Sequence, residues 1–133
     1  VARENARRLG VEKRGRFHHG DFLTPPPVAP ETAHLIVSNP PYVDLAEIPG
    51  LAPEVRDHEP RQALVPPGDR YGAYRCIAPQ ALPLLTPGGA LILEVGHGMA
   101  GEVVALCQAA GFRLRSVLDD LQGIPRTVVT GKD

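Results

Sequence analysis

The sequence predicts an α/β protein with a mostly parallel sheet, and three observations carry that expectation. Apolar runs at His34–Val37 and Ala90–Val95 each stop at a polar or glycine break, as strands of a covered sheet do. Between and after them lie stretches of helical period, with Tyr74, Ile77, Ala78, Ala81 and Leu85 on one stripe and Val103, Leu106, Cys107 and Ala110 on another. The 14 glycines and 15 prolines fall mostly between these periodic segments, so they act as punctuation and not as a low-complexity tract. Such an alternation of strand and helix belongs to α/β folds.

Taken in order, residues 1–9 read as the end of a helix, with Ala2, Ala6 and Leu9 on one face and Gly10 as the stop. No capping lead-in or Met precedes it, so the expectation is a chain that continues upstream of Val1. Residues 15–19 are a short strand candidate closing at Gly20-Asp21-Phe22, followed by a proline-rich loop. His34–Val37 is a strongly apolar strand. Tyr42–Tyr71 carries five prolines and little periodicity, and a long unpatterned segment in a compact domain is usually a lid or a binding surface. The helix from Tyr71 contains Pro79 and Pro83, which predict a kink or a split. Pro87-Gly88-Gly89 predicts a tight turn into the Ala90–Val95 strand. A helix ending at Gly111, a strand over residues 112–118 with alternating polarity, and a last strand at 127–130 complete the reading.

The totals exclude several function classes. With 133 residues, 43% apolar and 22% charged, the chain is about one domain with an ordinary globular composition. A formal charge of -1 offers no broad basic face for nucleic acid or an acidic membrane. No apolar run approaches the roughly 20 residues of a membrane span. Cys76 and Cys107 match no metal spacing and read as reduced core residues of a cytoplasmic protein. His18, His19, His34, His58 and His97 lack ligand spacing, so no metal is expected.

Chemistry concentrates at Asn39-Pro40-Pro41-Tyr42. In open α/β sheets ligands sit beyond the carboxyl ends of strands, where this quartet lies. Two prolines stiffen the corner. The Asn39 side-chain oxygen and the Pro40 carbonyl can each accept one hydrogen of a planar –NH2 group. Tyr42 can stack on the flat amide or base carrying that nitrogen. Such an arrangement suits presenting a poor nitrogen nucleophile to an electrophile. The plainer reading is a rigid turn with a capping Asn.

The quartet resembles the signature of amino-group methyltransferases that use S-adenosylmethionine. The longer stretches "NPPYVDLAEIPGLAPEVRDHEPRQAL", "YRCIAPQALPLLTPGGALILEVG" and "DLQGIPRTVVTG" resemble the HemK-type release-factor glutamine N5-methyltransferases, across nearly the whole chain. The resemblance implies a partial Rossmann-like class I methyltransferase fold with sheet order 3-2-1-4-5-7-6, lacking here the first two strands. It implies that residues 1–133 are the C-terminal portion of the catalytic domain, without the N-terminal substrate domain or the Gly-rich cofactor loop. It further implies methyl transfer to the glutamine of a Gly-Gly-Gln motif in a peptide chain release factor. Asn39, Pro40 and Tyr42 become the catalytic candidates, Asn39, Pro40, Pro41 and Tyr42 the substrate-binding ones, and Asp21, Phe22 and Asn39 the cofactor-binding ones. One departure is Asp69-Arg70-Tyr71-Gly72, where the family usually has Asp-Gly.

Two consequences are expected: weak cofactor binding by this chain, and self-association through exposed sheet edges. The rival readings are an N6-adenine methyltransferase of nucleic acid and an inactive, self-associating fragment. Arg56, Glu59 and Arg61 read equally as substrate contacts or internal salt bridges. Glu94, a carboxylate in a buried apolar strand, must be paired within the sheet or lie near the site. Gly96-His97-Gly98 resembles a nucleotide loop only superficially, lacking a third glycine and a following helix start.

Overall fold

The computed structural model describes all 133 residues. Helix α1 (Ala2–Arg8) stops at Gly10, whose φ of 69° only glycine adopts without cost. Strand β1 (Ala33–Ser38) leads into the Asn39–Tyr42 corner. The long proline-rich segment is not structureless: a 3₁₀ turn at Leu45–Gly50 and helices α2 (Pro53–Arg56) and α3 (Arg61–Leu64) organise it. Helix α4 (Gly72–Leu84), strand β2 (Leu85–Glu94), helix α5 (Ala100–Ala109) and strands β3 (Arg113–Asp119) and β4 (Pro125–Gly131) follow.

The sheet order is β1-β2-β4-β3, which reproduces the 4-5-7-6 end of the expected order. Strands β1, β2 and β3 run the same way, as the mostly parallel expectation had it, and β4 alone is reversed, antiparallel to both neighbours. The physical reason is connection length. The five-residue link from β3 to β4 makes a hairpin, and hairpins can only be antiparallel. Asp120 holds that link, its carboxylate accepting from the backbone N–H groups of Gln122 and Ile124.

No strand forms at residues 15–19. Nothing in the chain offers that segment a ladder partner, and the outer edge of β1 is itself unpaired. Helix α4 runs through Pro79 and Pro83 without a break. Its last carbonyls, those of Pro83 and Leu84, accept from the N–H groups of Glu31 and Thr32, and the Gln80 side-chain amide donates to the Cys76 carbonyl. These contacts satisfy the last turn of the helix, whereas the carbonyls that Pro79 and Pro83 leave without their helical donor are those of Arg75 and Pro79, four residues earlier. The Pro87-Gly88-Gly89 turn is drawn into β2 as an irregularity: Ala33 pairs with Leu85 but Leu35 with Ala90.

Helices α4 and α5 cover one face of the sheet. Leu91, Leu93 and Val128 are fully buried there against Ala73, Ile77, Ala78 and Ala81 of α4 and Val103 and Cys107 of α5. Small alanines let α4 approach β2 closely. The opposite face has no helix on it. Alternation turns Leu35 and Val37 toward that face, and they stand 53% and 67% exposed.

Candidate active site

Strand β1 delivers the corner at its carboxyl end. Pro40 and Pro41 are buried while Asn39, one residue earlier, is exposed. The Asn39 side chain makes no hydrogen bond within the protein. Its amide is therefore held out by a fixed backbone with both polar atoms unspent. This is the arrangement required of a group that must accept a hydrogen from a ligand.

Tyr42 closes the corner. Its ring lies on Gly96, where an added Cβ would stand 2.6 Å from the Met99 sulfur and 3.0 Å from Tyr42 Cδ2. Gly96 is thus a close-approach residue, with a role in seating Tyr42 that its surroundings in sequence did not announce. The Tyr42 hydroxyl donates to Glu94 Oε1 at 3.4 Å, a long contact. Burial first, and then the negative charge of Glu94, raise the Tyr42 pKa above its ordinary 10.0, while Arg126 opposes the rise. Tyr74, buried in α4, donates to the backbone carbonyl of Glu94 at 2.9 Å, and its own pKa is pushed up by burial.

Glu94 therefore lies beside the site, at the last position of β2, which resolves the two readings left open for it. Arg56 is taken by its neighbour Asp57 in a two-point contact of 2.7 and 2.9 Å, whereas Glu59 and Arg61 have no ion-pair partner. At the departure from the family pattern, Arg70 pairs with Glu47 at 2.7 Å and Asp69 accepts from the Tyr71 N–H. Arg70 thus ties the segment after Tyr42 to the start of α4. Helix α5 begins at Ala100, directly after Gly96-His97-Gly98-Met99, so a helix start does follow that glycine pair.

Two cavities flank the corner. One, of about 430 Å³, is bordered by Asp21, Phe22 and Ser38, with Ile36, Ile77 and Ala81 among its apolar lining. The other, of about 600 Å³, lies between Tyr42, Glu47, Arg70, Gly96 and His97. Asp21 and Phe22 thus meet the end of β1, and Tyr42 faces the second cavity. Asn39 and Pro40 line neither, sitting on the ridge between Ser38 and Tyr42. Asp21 also serves its own turn, accepting from the Leu23 N–H at 2.9 Å. The Phe22 carbonyl accepts from Gln80, which fixes the aromatic ring's backbone to α4.

Sequence reasoning overlooked Ser38, Gln80 and Gly96. A glutamine on the inner side of an apolar helix was the one readable signal. Gly96 and Ser38 acquire meaning only from what lies across from them. No three His, Cys, Asp or Glu side chains converge as a metal site would require, and no helix is long and apolar enough to cross a membrane.

No protein-family model matches the chain. Curated relatives do. The chain is 47% identical over 128 residues to a release factor glutamine methyltransferase of Cereibacter sphaeroides, covering 96% of itself and 45% of that protein. It is 46% identical over 133 residues to the protein of the same name from Bradyrhizobium diazoefficiens, covering 99% of itself and 44% of the relative. The chain therefore spans less than half the length of these relatives. Among solved structures, TrmN from Thermus thermophilus superposes with a TM-score of 0.60 at 29% identity, over 99% of this chain and 32% of that one. A TehB-like SAM-dependent methyltransferase from Corynebacterium glutamicum does so with a TM-score of 0.54 at 14% identity, over 94% and 62%. That second likeness speaks to the fold alone: a partial class I methyltransferase sheet.

Proposed function

We propose, for a chain that belongs by sequence to the release factor glutamine methyltransferase family while spanning less than half of its relatives' length, that it carries the acceptor corner of a glutamine N5-methyltransferase. The substrate is the glutamine of a Gly-Gly-Gln motif in a release factor. One observation carries the reading: Asn39 is exposed with an unspent side chain on a corner whose prolines are buried.

An amide nitrogen is a weak nucleophile because its lone pair is delocalised into the carbonyl. As it acquires a fourth bond it becomes cationic, and its two hydrogens become more acidic. Oxygen acceptors placed at those hydrogens bind that state more tightly than the neutral amide. Asn39 Oδ1 and the Pro40 carbonyl are the two acceptors. Pro40 has no N–H to compete and its ring limits the swing of its carbonyl. Tyr42 forms the wall against which the carboxamide plane rests. No strong base is needed, since the proton is lost readily once the nitrogen is cationic.

S-adenosylmethionine, when bound, supplies the electrophilic methyl carbon. Whether the residues present fit it can be judged from the 430 Å³ cavity: an aromatic ring, a carboxylate and an apolar floor are the surroundings an adenosine needs. Asp21 and Phe22 would hold that part. The polar amino-acid end has no glycine-rich turn to meet it among these residues.

The test offers a Gly-Gly-Gln peptide and an adenine-containing oligonucleotide in parallel, with labelled S-adenosylmethionine. Methyl incorporation into the peptide's glutamine, lost when that glutamine is replaced by glutamate, supports the reading. Incorporation into adenine alone would sink it.

A further inference from the structure

Glu94 is unusual because its surroundings constrain its backbone far more than its carboxylate. The main chain at Glu94 is held by the ladder to Thr127 of β4 and by the hydrogen bond from the buried Tyr74 hydroxyl. Its side chain is half-buried, has no salt bridge, and meets only the Tyr42 hydroxyl. A half-buried carboxylate with no ion partner depends on hydrogen bonds to offset its desolvation, and the Tyr42 hydroxyl is its donor here.

The other groups facing Tyr42 are few. Arg126 exerts an opposing charge on it. That guanidinium is restrained by Asp120, Nε to Oδ2 at 3.2 Å, while its backbone carbonyl accepts from the Val95 N–H. Tyr74 lies behind, and Glu47, Arg70 and His97 share the adjoining cavity. Glu47 and Arg70 are already paired with each other. Glu94 is thus the acidic group left to hold the hydroxyl end of the ring, while Gly96 and Met99 hold its side.

We propose that Glu94 is a positioning residue: from the rigid end of β2 its carboxylate anchors the Tyr42 hydroxyl, and so sets the ring that walls the Asn39–Pro40 acceptor corner. Two points of hold, at the ring edge and at the oxygen, define a plane that one alone does not. The long 3.4 Å contact makes this a matter of orientation more than of stability. The negative charge behind the wall also has the sign that favours cationic nitrogen in front of it. The purpose of this arrangement rests on the methyl-transfer reading, but the contact itself is tested without it.

The chain contains three tyrosines and no tryptophan, so ring-carbon-labelled tyrosine resolves Tyr42 by NMR, with Tyr42→Phe as the assignment control. In the unsubstituted chain Tyr42 is expected to titrate above the ordinary value of about 10 and to show a cross-peak to the Gly96 α-protons. Glu94→Gln keeps an acceptor but removes the charge, so it lowers the Tyr42 midpoint while leaving the cross-peak. Glu94→Ala lowers the midpoint and weakens the cross-peak as well. Both variants leaving titration and cross-peak unchanged overturns the positioning role. Should both fail to fold, the unsubstituted chain still decides: a Tyr42 midpoint at or below the ordinary value of about 10 overturns it. A shifted Tyr42 in a chain that never methylates the glutamine peptide sinks the proposed function and leaves this contact standing.

Discussion

Asn39 and Cys107 mark opposite fates for a polar side chain. Asn39 is exposed and unbonded, so removing its amide takes nothing from the fold. Asn39→Ala is expected to change unfolding free energy by no more than about 0.5 kcal/mol, measured by urea denaturation. Where the chain is assayed in an active context, the same change should slow methyl transfer by about 10²–10³-fold, the usual loss of one preorganised partner. Cys107 is buried on the inner face of α5, and burial raises its thiol from 9.0 to about 11, with Thr130 opposing. A raised folded-state pKa means stability that is whole below the unfolded value and drains as pH rises through the folded one. Urea midpoints should therefore fall between pH 9 and 11, and Cys107→Ala should flatten that fall. Identical slopes in both chains would refute the assignment. Cys107 was legible as a core residue from its apolar neighbours, whereas Cys76, expected there too, is only partly buried. The freedom of Asn39 was not, because an exposed amide and a capping amide look alike in sequence.

Among the elements, α4 shows how local rules yield to tertiary partners. Two internal prolines predicted a kink or a split, but the helix runs on, its end tied to the segment before β1 through the Pro83 and Leu84 carbonyls and to Phe22 through Gln80. Its first residue, Gly72, has a simpler requirement: a Cβ there would overlap the Pro67 carbonyl oxygen. Gly72→Ala is expected to destabilise the chain by about 3 kcal/mol, an overpacking cost against backbone that cannot yield. A denaturation midpoint equal to the parent's would show that the Pro67–Gly68 turn moves freely. The unpatterned stretch after Tyr42 teaches the same lesson from the other side. Its Glu47–Arg70 pair joins residues 23 positions apart, which periodicity does not encode.

The whole molecule is more open than its mass warrants. A compact monomer of 14.2 kDa exposes about 6,800 Å², whereas this chain exposes 8756 Å² and buries only 24 of its residues. The surplus, about 2,000 Å² on that scaling, exceeds the roughly 800 Å² per partner of an ordinary stable interface. A second copy would pair through Leu35 and Val37 on the bare sheet face and through the free edge of β1. The isolated chain is expected to elute above 14.2 kDa at micromolar concentration, and Leu35→Lys with Val37→Lys to return it to monomer. Monomeric behaviour of the parent at all concentrations would exclude this. Calorimetric titration should find S-adenosylmethionine bound more weakly than micromolar, since no glycine-rich turn is present among these residues to meet its amino-acid end.

What the sequence determined by itself was whatever depends on neighbours along the chain. Apolar period and punctuation placed β1, α4, β2, α5, β3 and β4 within a few residues. Prolines after a strand marked the stiff corner, and the extended motif carried the resemblance to the release-factor glutamine methyltransferases. What the tertiary structure decided was whatever depends on a partner across space. A strand at residues 15–19 fails because nothing lies beside it. The antiparallel β4 follows from a hairpin that closes between two sheet edges. Glu94, Gly96 and Ser38 become parts of a site only when the strand ends bring them to Tyr42 and to the cavity of Asp21 and Phe22. Spacing along a chain constrains which residues share a face, but a hydrogen bond or a close approach is a property of two surfaces in contact.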